Sequence, residues 1–557
     1  FGSSCWSQIL LLSDSAASSV NPCAGRPEPL SWMAAPSDVG EVLPAERGFA
    51  RVQSSRSQGD SSVTNAAAIQ AAHAKLVETF KSGRTKGYEW RLAQLKGLRS
   101  LCVENSDAIC AAISSDLGRP KMEAFLGDVT SVISEIDHSL KHLKAWMEPT
   151  VVPTPMMQQP GHCKVLREPK GVILQIAPWN FPVNLSLMGL LAALAAGNTC
   201  LLKPSEIAPA SEQVLKQLLP RYLDPEATIV VTGGVPETTA LLKLRWDHIL
   251  YTGNGMVARI VSRAAAEYLT PCTLELGGKS PTVVLPGANV SVAAKRILSG
   301  KCFNSGQICI SPDYAIVHKD VEQQLVQEMQ TTLKSWYGQD ASASDSFGRI
   351  INESHFRRVR NLIESSDGEV LPQQGKMDEA SKFIPPTLVR GPSANSAIMT
   401  EEIFGPVLPI VKKNSLEEIV DHINSGEKPL ALYIFGKEVD ADKVISATSS
   451  GGVCVNDTIF HIANPDLPFG GVGGSGMGRY HGKWGFDEFS HVRSVMYRAT
   501  WVDVAQRYPP YTESNMKLME RLFVGPLIPP ALKKAAAAIG GLAAASAAAV
   551  TLRRSRL

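Results

Sequence analysis

Two short stretches carry residues that could do covalent chemistry. In Lys301-Cys302-Phe303-Asn304-Ser305-Gly306-Gln307-Ile308-Cys309-Ile310-Ser311-Pro312, Cys309 follows a Gly-Gln step and precedes a Ser-Pro break. A thiol presented at such a turn lies close to backbone N–H groups, which favour its thiolate and make it a nucleophile. A cysteine by itself reads equally well as a small buried hydrophobe. Its counterpart stands upstream, in Thr273-Leu274-Glu275-Leu276-Gly277-Gly278-Lys279-Ser280-Pro281. Glu275, flanked by two leucines and followed by Gly-Gly, suits a carboxylate carried into an apolar site at a strand end. Burial of that kind raises its pKa toward the range of a general base.

Leu-Glu-Leu-Gly-Gly-Lys-Ser-Pro followed by Gly-Gln-x-Cys resembles the glutamate and cysteine signatures of the aldehyde dehydrogenases. Pro178-Trp179-Asn180-Phe181-Pro182, Leu202-Lys203-Pro204-Ser205-Glu206 and Glu401-Glu402-Ile403-Phe404-Gly405-Pro406 agree with it. The resemblance runs from roughly Ala71 to Tyr508, most of the chain. Gly87-Tyr88-Glu89-Trp90-Arg91, Tyr222-Leu223-Asp224-Pro225 and Pro468-Phe469-Gly470-Gly471-Val472-Gly473 look most like class 3, the fatty and aromatic aldehyde branch, and its plant members in particular.

The resemblance implies an α/β fold: a doubly wound parallel NAD-binding sheet, a second α/β catalytic domain and a small β oligomerisation arm. It also implies a mechanism. Cys309 attacks the aldehyde, the Asn180 amide and the Cys309 N–H hold the oxyanion, hydride leaves to nicotinamide, and Glu275 activates the water that frees the acid. Lys203 and Glu206 are expected at the adenosine ribose. Glu402 is expected at the nicotinamide ribose, with Phe404 beside it. A carboxylate at Glu206 repels a 2′-phosphate, so NAD is the expected cofactor; class 3 relatives also accept NADP. No metal is called for, because hydride departs to the cofactor. The expected substrate is a small aldehyde and the expected assembly a homodimer.

Composition is consistent with such an enzyme. The 557 residues suffice for two or three domains with their own cores, and 55 Lys and Arg balance 53 Asp and Glu. That balance creates no field for nucleic acid. The ten cysteines form no CxxC pair or compact cluster, which argues against a disulfide framework or structural zinc and suits a reducing compartment.

In chain order, residues 1–60 are rich in Ser, Ala, Pro and Gly without a period and are expected to be a disordered leader. Helical spacing follows to Met147, broken at Ser114–Pro120, and then a Pro- and Met-rich arm from Val151. Strand–helix alternation between Gly171 and Asn254 points to a parallel sheet. We read 61–150 with 165–275 as the NAD-binding domain, 151–164 with 486–500 as the arm, and 276–485 as the catalytic domain. An extension covers 501–532. Tyr251-Thr252-Gly253-Asn254-Gly255-Met256-Val257-Ala258 is a strand leading into a helix, so Gly253, Asn254, Gly255 and Ala258 are the candidate pyrophosphate cradle. Gly471–Gly476 fits G-x-G-x-x-G but opens no βαβ unit, and we set it aside.

The tail 533–557 is an Ala-rich apolar run between basic flanks. Its length approaches a membrane span, so we expect a cytoplasmic enzyme weakly attached to a membrane. A plastid leader and a peroxisomal Ser-Arg-Leu end are the alternatives. Two other function classes stay open: a cysteine esterase or acyltransferase, which needs no nucleotide, and a catalytically silent protein.

Overall fold

The computed structural model describes residues 66–523; the leader 1–60 and the Ala-rich tail lie outside them. The helical spacing at the start gives helices Ala66–Lys81, Tyr88–Glu104, Ser106–Leu117 and Ser131–Met147. Gly118, at φ 57°, closes the third of these in the left-handed region and donates its N–H to Ser114 O. The run from Phe125 to Ile136 reads as one α-helical stripe, but Phe125–Thr130 is a π-turn. Asp128 lies within it and is fully buried. A wide turn of this kind often marks a functional place.

The strands in chain order are β1 Thr150–Val152, β2 Gly161–Pro169, β3 Val172–Ile176, β4 Thr199–Lys203, β5 Thr228–Val230, β6 His248–Thr252 and β7 Cys272–Glu275. There follow β8 Pro281–Val284, β9 Tyr314–His318, β10 Glu369–Val370, β11 Thr387–Arg390, β12 Val407–Lys413 and β13 Ala431–Phe435. β14 Gly452–Val455, β15 Gly476–Met477 and β16 Ser490–Arg498 complete them. They form three sheets, ordered β15-β7-β6-β3-β4-β5, β10-β11-β12-β9-β8-β13-β14 and β1-β2-β16.

In the first sheet β3 through β7 are parallel, and only the short β15 runs against them. Every residue of β3 and β4 is buried. This is why both strands read as unbroken runs rather than alternating ones: helices cover both faces. The chain moves outward from β3 to β4 and β5, then returns to lay β6 on the other side of β3. The strand order reverses between β3 and β6, and ligands of doubly wound sheets bind at the C-terminal ends beside such a point. Lys203 ends β4, Glu275 ends β7, and Gly253 follows β6. Between Glu275 and Pro281 the chain passes directly from the first sheet into the second.

The arm is a three-stranded antiparallel sheet in which β16 pairs with β2 along its whole length, from Ser490↔Pro169 to Arg498↔Gly161. Among the described residues no helix is long and apolar enough to cross a membrane. The G-x-G-x-x-G segment forms a turn entering β15, whose Gly476 pairs with Glu275. It packs against the end of β7 and begins no nucleotide-binding helix.

Helix Tyr88–Glu104 packs on helix Pro209–Tyr222 so closely at Gly97 that a Cβ there would overlap the Tyr222 carbonyl oxygen. Gly97→Ala, a change that raises helix propensity, is therefore expected to destabilise the protein by roughly 1–3 kcal/mol through overpacking. Urea unfolding measures it; a more stable variant would show that the helices part without cost.

Candidate active site

The turn that presents Cys309 is built from residues in an uncommon backbone region. Helix Val290–Cys302 ends, and Asn304, Ser305 and Gly306 follow at φ 50°, 51° and 72°. Gly306 fits because a Cβ would overlap the Gly405 carbonyl oxygen of the neighbouring loop. Gln307 anchors what comes next: Nε2 donates to Asn304 O at 3.0 Å and Arg349 O at 2.9 Å, and Oε1 accepts from Ile351 N–H at 3.0 Å. The Gly-Gln step thus sets and locks the turn. Cys309 beyond it is partly exposed.

The strained turn is held by a buried polar cluster that the sequence did not reveal. Arg119 is fully buried and pairs with the equally buried Asp128 at 2.5 Å. Its Nε donates to Asn304 Oδ1 at 3.0 Å, a further N–H donates to the Asn180 carbonyl, and the guanidinium lies 4.3 Å over the Phe181 ring. Asp128 Oδ1 also accepts from Val183 and Asn184 N–H, at the start of helix Asn184–Ala195. Asn304 Nδ2 donates to Asn180 O at 2.9 Å. The loop after β3 and the cysteine turn are thereby one unit. The only local signal for Arg119 was its place in the Gly-Arg-Pro break.

Asn180 is buried, and its Nδ2 donates to Gln307 O at 3.0 Å. One of the two amide hydrogens is used there. The Cys309 and Ile310 N–H groups favour its thiolate, but burial outweighs them. With the negative charges of Glu402 and Glu275, it pushes the thiol up to about 12. Glu275 is 2% exposed and neither carboxylate oxygen has a hydrogen-bond partner. Burial first, and the charge of Glu488 second, hold its carboxyl well above the usual range.

A second set lies along the C-terminal edge of the first sheet. Lys203, buried at the end of β4, pairs with Glu206 at 2.5 Å. Glu206 faces Gly234, which precedes helix Val235–Leu242. Gly233 and Gly234 were missed in the sequence, although Thr-Gly-Gly at a strand end was a signal. Asn254 caps helix Gly255–Ala266, with Oδ1 accepting from Val257 N–H at 3.0 Å. Ala258, one turn in, is buried and packs into the core below.

Glu402 is half-buried, its Oε1 has no partner, and burial followed by Asp313 raises its carboxyl to about 8. A Cβ on Gly277 would overlap this carboxylate. Its loop is stitched down on several sides. Arg358 donates to Glu402 O and Ile403 O, Lys279 to Ile398 O and Glu401 O, and Asp313 accepts from Ile403 N–H. Phe404, at φ 47°, stands edge-on to Trp179 with centroids 5.4 Å apart. Lys203, Glu206, the Gly253–Gly255 helix start and the unpartnered Glu402 oxygen offer donors and acceptors suited to a dinucleotide. Among the described residues no group of three or more His, Cys, Asp or Glu side chains is placed to hold a metal ion.

Residues 52–495 match the aldehyde dehydrogenase family. A rat protein named "Aldehyde dehydrogenase, dimeric NADP-preferring" is 46% identical over 78% of this chain and 96% of its own. Arabidopsis thaliana aldehyde dehydrogenase family 3 member H1 is 44% identical over 80% of this chain and 93% of its own. The substrate-bound structure of Staphylococcus aureus AldH superposes with TM-score 0.79 at 40% identity, covering 82% of this chain and 99% of that one. The chain belongs to the aldehyde dehydrogenase family. It is an oxidoreductase that converts aldehydes to carboxylic acids with NAD(P).

The buried cluster generates a prediction. Arg119→Met leaves Asp128 as an uncompensated buried charge and should cost about 3–5 kcal/mol, with turnover falling as Asn180 and Asn304 lose their common anchor. Arg119→Lys should rescue little, because the donors of an ammonium all sit on one nitrogen, whereas the planar guanidinium fork spreads its donors over three nitrogens to reach Asp128, Asn180 O and Asn304 Oδ1. Thermal unfolding and steady-state rates together check this; full activity in Arg119→Lys would contradict it.

Proposed function

We propose that this enzyme oxidises medium- to long-chain aliphatic or aromatic aldehydes, with Cys309 as nucleophile, Asn180 and the Cys309 N–H as oxyanion donors, and Glu275 as the deacylating base. The observation that carries the reading is Glu275: a carboxylate at the end of β7 with both oxygens unpartnered and its affinity for protons raised by burial. Such a group has no structural use, and it is well placed to take a proton.

The sequence of bonds is as follows. Cys309 Sγ bonds to the aldehyde carbon, and the carbonyl oxygen takes the charge facing the free Asn180 N–H and the Cys309 N–H. Preorganised donors of this kind contribute about 3–4 kcal/mol each. NAD(P), when bound, supplies the hydride acceptor. Loss of hydride from the carbon leaves a thioester on Cys309. Glu275 then takes a proton from water as the water oxygen attacks; the C–S bond breaks, and the acid leaves. Lys203 and Glu206 would hold the adenosine ribose, Gly253, Asn254 and Gly255 would take the pyrophosphate, and Glu402, with Phe404, would hold the nicotinamide ribose. Ala258 contributes by being small. A cofactor-free cysteine esterase would have no use for the Lys203–Glu206 pair or the seated Glu402.

Cys309→Ser should bind NAD but oxidise no aldehyde, whereas Glu275→Gln should release one equivalent of NADH rapidly and then stall. Stopped-flow absorbance distinguishes the two; steady turnover in either variant would remove that residue from the mechanism. The raised carboxyl of Glu275 must lose its proton before it can act, and the raised thiol of Cys309 likewise. Turnover should therefore climb as pH rises through and beyond neutrality, and a rate already at its plateau in mild acid would contradict these environments.

Glu206→Gln removes the charge that opposes a 2′-phosphate. The ratio of kcat/KM for NADP to that for NAD should rise several-fold, roughly the effect of about 1 kcal/mol. An unchanged ratio would show that Glu206 does not face the ribose.

A further inference from the structure

The turn before Cys309 holds two consecutive non-glycine residues, Asn304 and Ser305, in the left-handed region at φ 50° and 51°. An L side chain is strained there, so such a pair persists only where its surroundings hold it. Ser305 supplies no hold of its own, because its hydroxyl is buried without a hydrogen-bond partner. Asn304 does. Its side chain accepts from Arg119 and donates to Asn180 O and Gln307 O. Its carbonyl accepts from Gln307 N–H at 3.1 Å and from Gln307 Nε2 at 3.0 Å. Its own N–H donates outside the turn, to Glu123 Oε2 at 2.8 Å.

Glu123 is half-buried in the short helix Lys121–Ala124, between Arg119 and the π-turn that carries Asp128. One stretch of chain therefore grips Asn304 twice, Arg119 by the side chain and Glu123 by the backbone. Burial raises the Glu123 carboxyl to about 7, against the pull of the Asn304 N–H and Arg119. In either protonation state an oxygen remains to accept the bond, which is stronger when the carboxyl is ionised.

We propose that Glu123 is a positioning residue for the nucleophile. Its bond to Asn304 N–H keeps the Asn304–Ser305 pair left-handed. Asn304 in turn fixes Gln307, whose carbonyl also takes the Asn180 amide at 3.0 Å. Loss of the Glu123 bond lets the strained pair relax toward ordinary backbone. That movement carries Gln307, and Cys309 two residues on, out of register with Asn180. The inference deepens the reaction proposed above and rests on Cys309 being its nucleophile. Lys203, Glu206 and Glu402 take no part in this path, so cofactor binding is left as it is.

Glu123→Ala removes the acceptor, and Glu123→Gln keeps one on a side chain of the same shape. In Glu123→Ala the rate of the first-turnover NADH burst should fall roughly tenfold, the equivalent of one hydrogen bond to a charged group. Its Kd for NAD, measured by titration, should stay at the parent value, which also shows that the variant is folded. Glu123→Gln should return the burst to within roughly threefold of the parent, a neutral hydrogen bond replacing a charged one. Ser305→Gly added to Glu123→Ala relieves the left-handed strain and should recover part of the lost rate. A parent-like burst in Glu123→Ala overturns the proposal, as does a Kd for NAD weakened by the same factor as the burst. So does a double variant no faster than Glu123→Ala. Should Glu123→Ala fail to fold, a Glu123→Gln enzyme slowed tenfold or more is the overturning result. Cys309→Ser run in parallel separates the two readings. An inactive Cys309→Ser beside a parent-like Glu123→Ala removes the positioning role alone; an active Cys309→Ser removes the nucleophile on which it rests.

Discussion

A guanidinium without access to water ties this molecule together. Arg119 can be buried only because Asp128 neutralises it and the Asn180 carbonyl and Asn304 side chain take its remaining hydrogens. Those partners come from three distant parts of the chain: the π-turn after the first helices, the loop following β3, and the turn before Cys309. Their relative positions hold Asn180 against the turn before Cys309, as the proposed oxyanion site requires. One ion pair thus converts a fold requirement, satisfying a buried charge, into the geometry of the reaction centre.

The same economy holds on the other side of the thiol. Lys279 belongs to the Leu-Glu-Leu-Gly-Gly-Lys-Ser-Pro stretch that carries Glu275, yet its ammonium pairs with Asp313 at 2.6 Å and reaches the carbonyls of the Glu402 loop. Gly277 is bare because Glu402 occupies the space its side chain would take. The short crossing from β7 to β8 therefore positions both Glu275, the proposed base, and Glu402, the carboxylate proposed for the nicotinamide ribose. Burial then sets the chemistry of each. Glu275, Glu402 and Cys309 all hold protons more tightly than they would in water, chiefly through burial, and at Cys309 the charges of Glu402 and Glu275 add to it.

Much of this was legible in the sequence, and the division has a physical basis. Cys309 and Glu275 stood out because short-range features mark them: a Gly-Gln turn, and a strand end closed by two glycines. β3, β4 and β6 were visible as short apolar runs, since strands buried on both faces need no alternation. The π-turn at Phe125–Thr130 was not visible, because the apolar spacing around it fits an α-helix equally well. Arg119 was not visible as an anchor, since its partner Asn304 lies 185 residues away and nothing local signals that pairing.

The central claim is that oxidation and hydrolysis are separate events on Cys309, with Glu275 needed only for the second. Its most direct measurement is peptide mass after acid quench of Glu275→Gln incubated with aldehyde and NAD. The account predicts a near-stoichiometric acyl adduct, the mass of the aldehyde less two hydrogens, on the peptide carrying Cys302 and Cys309, with fragmentation assigning it to Cys309. An unmodified peptide after NADH has formed, or an adduct on Cys302, would contradict it.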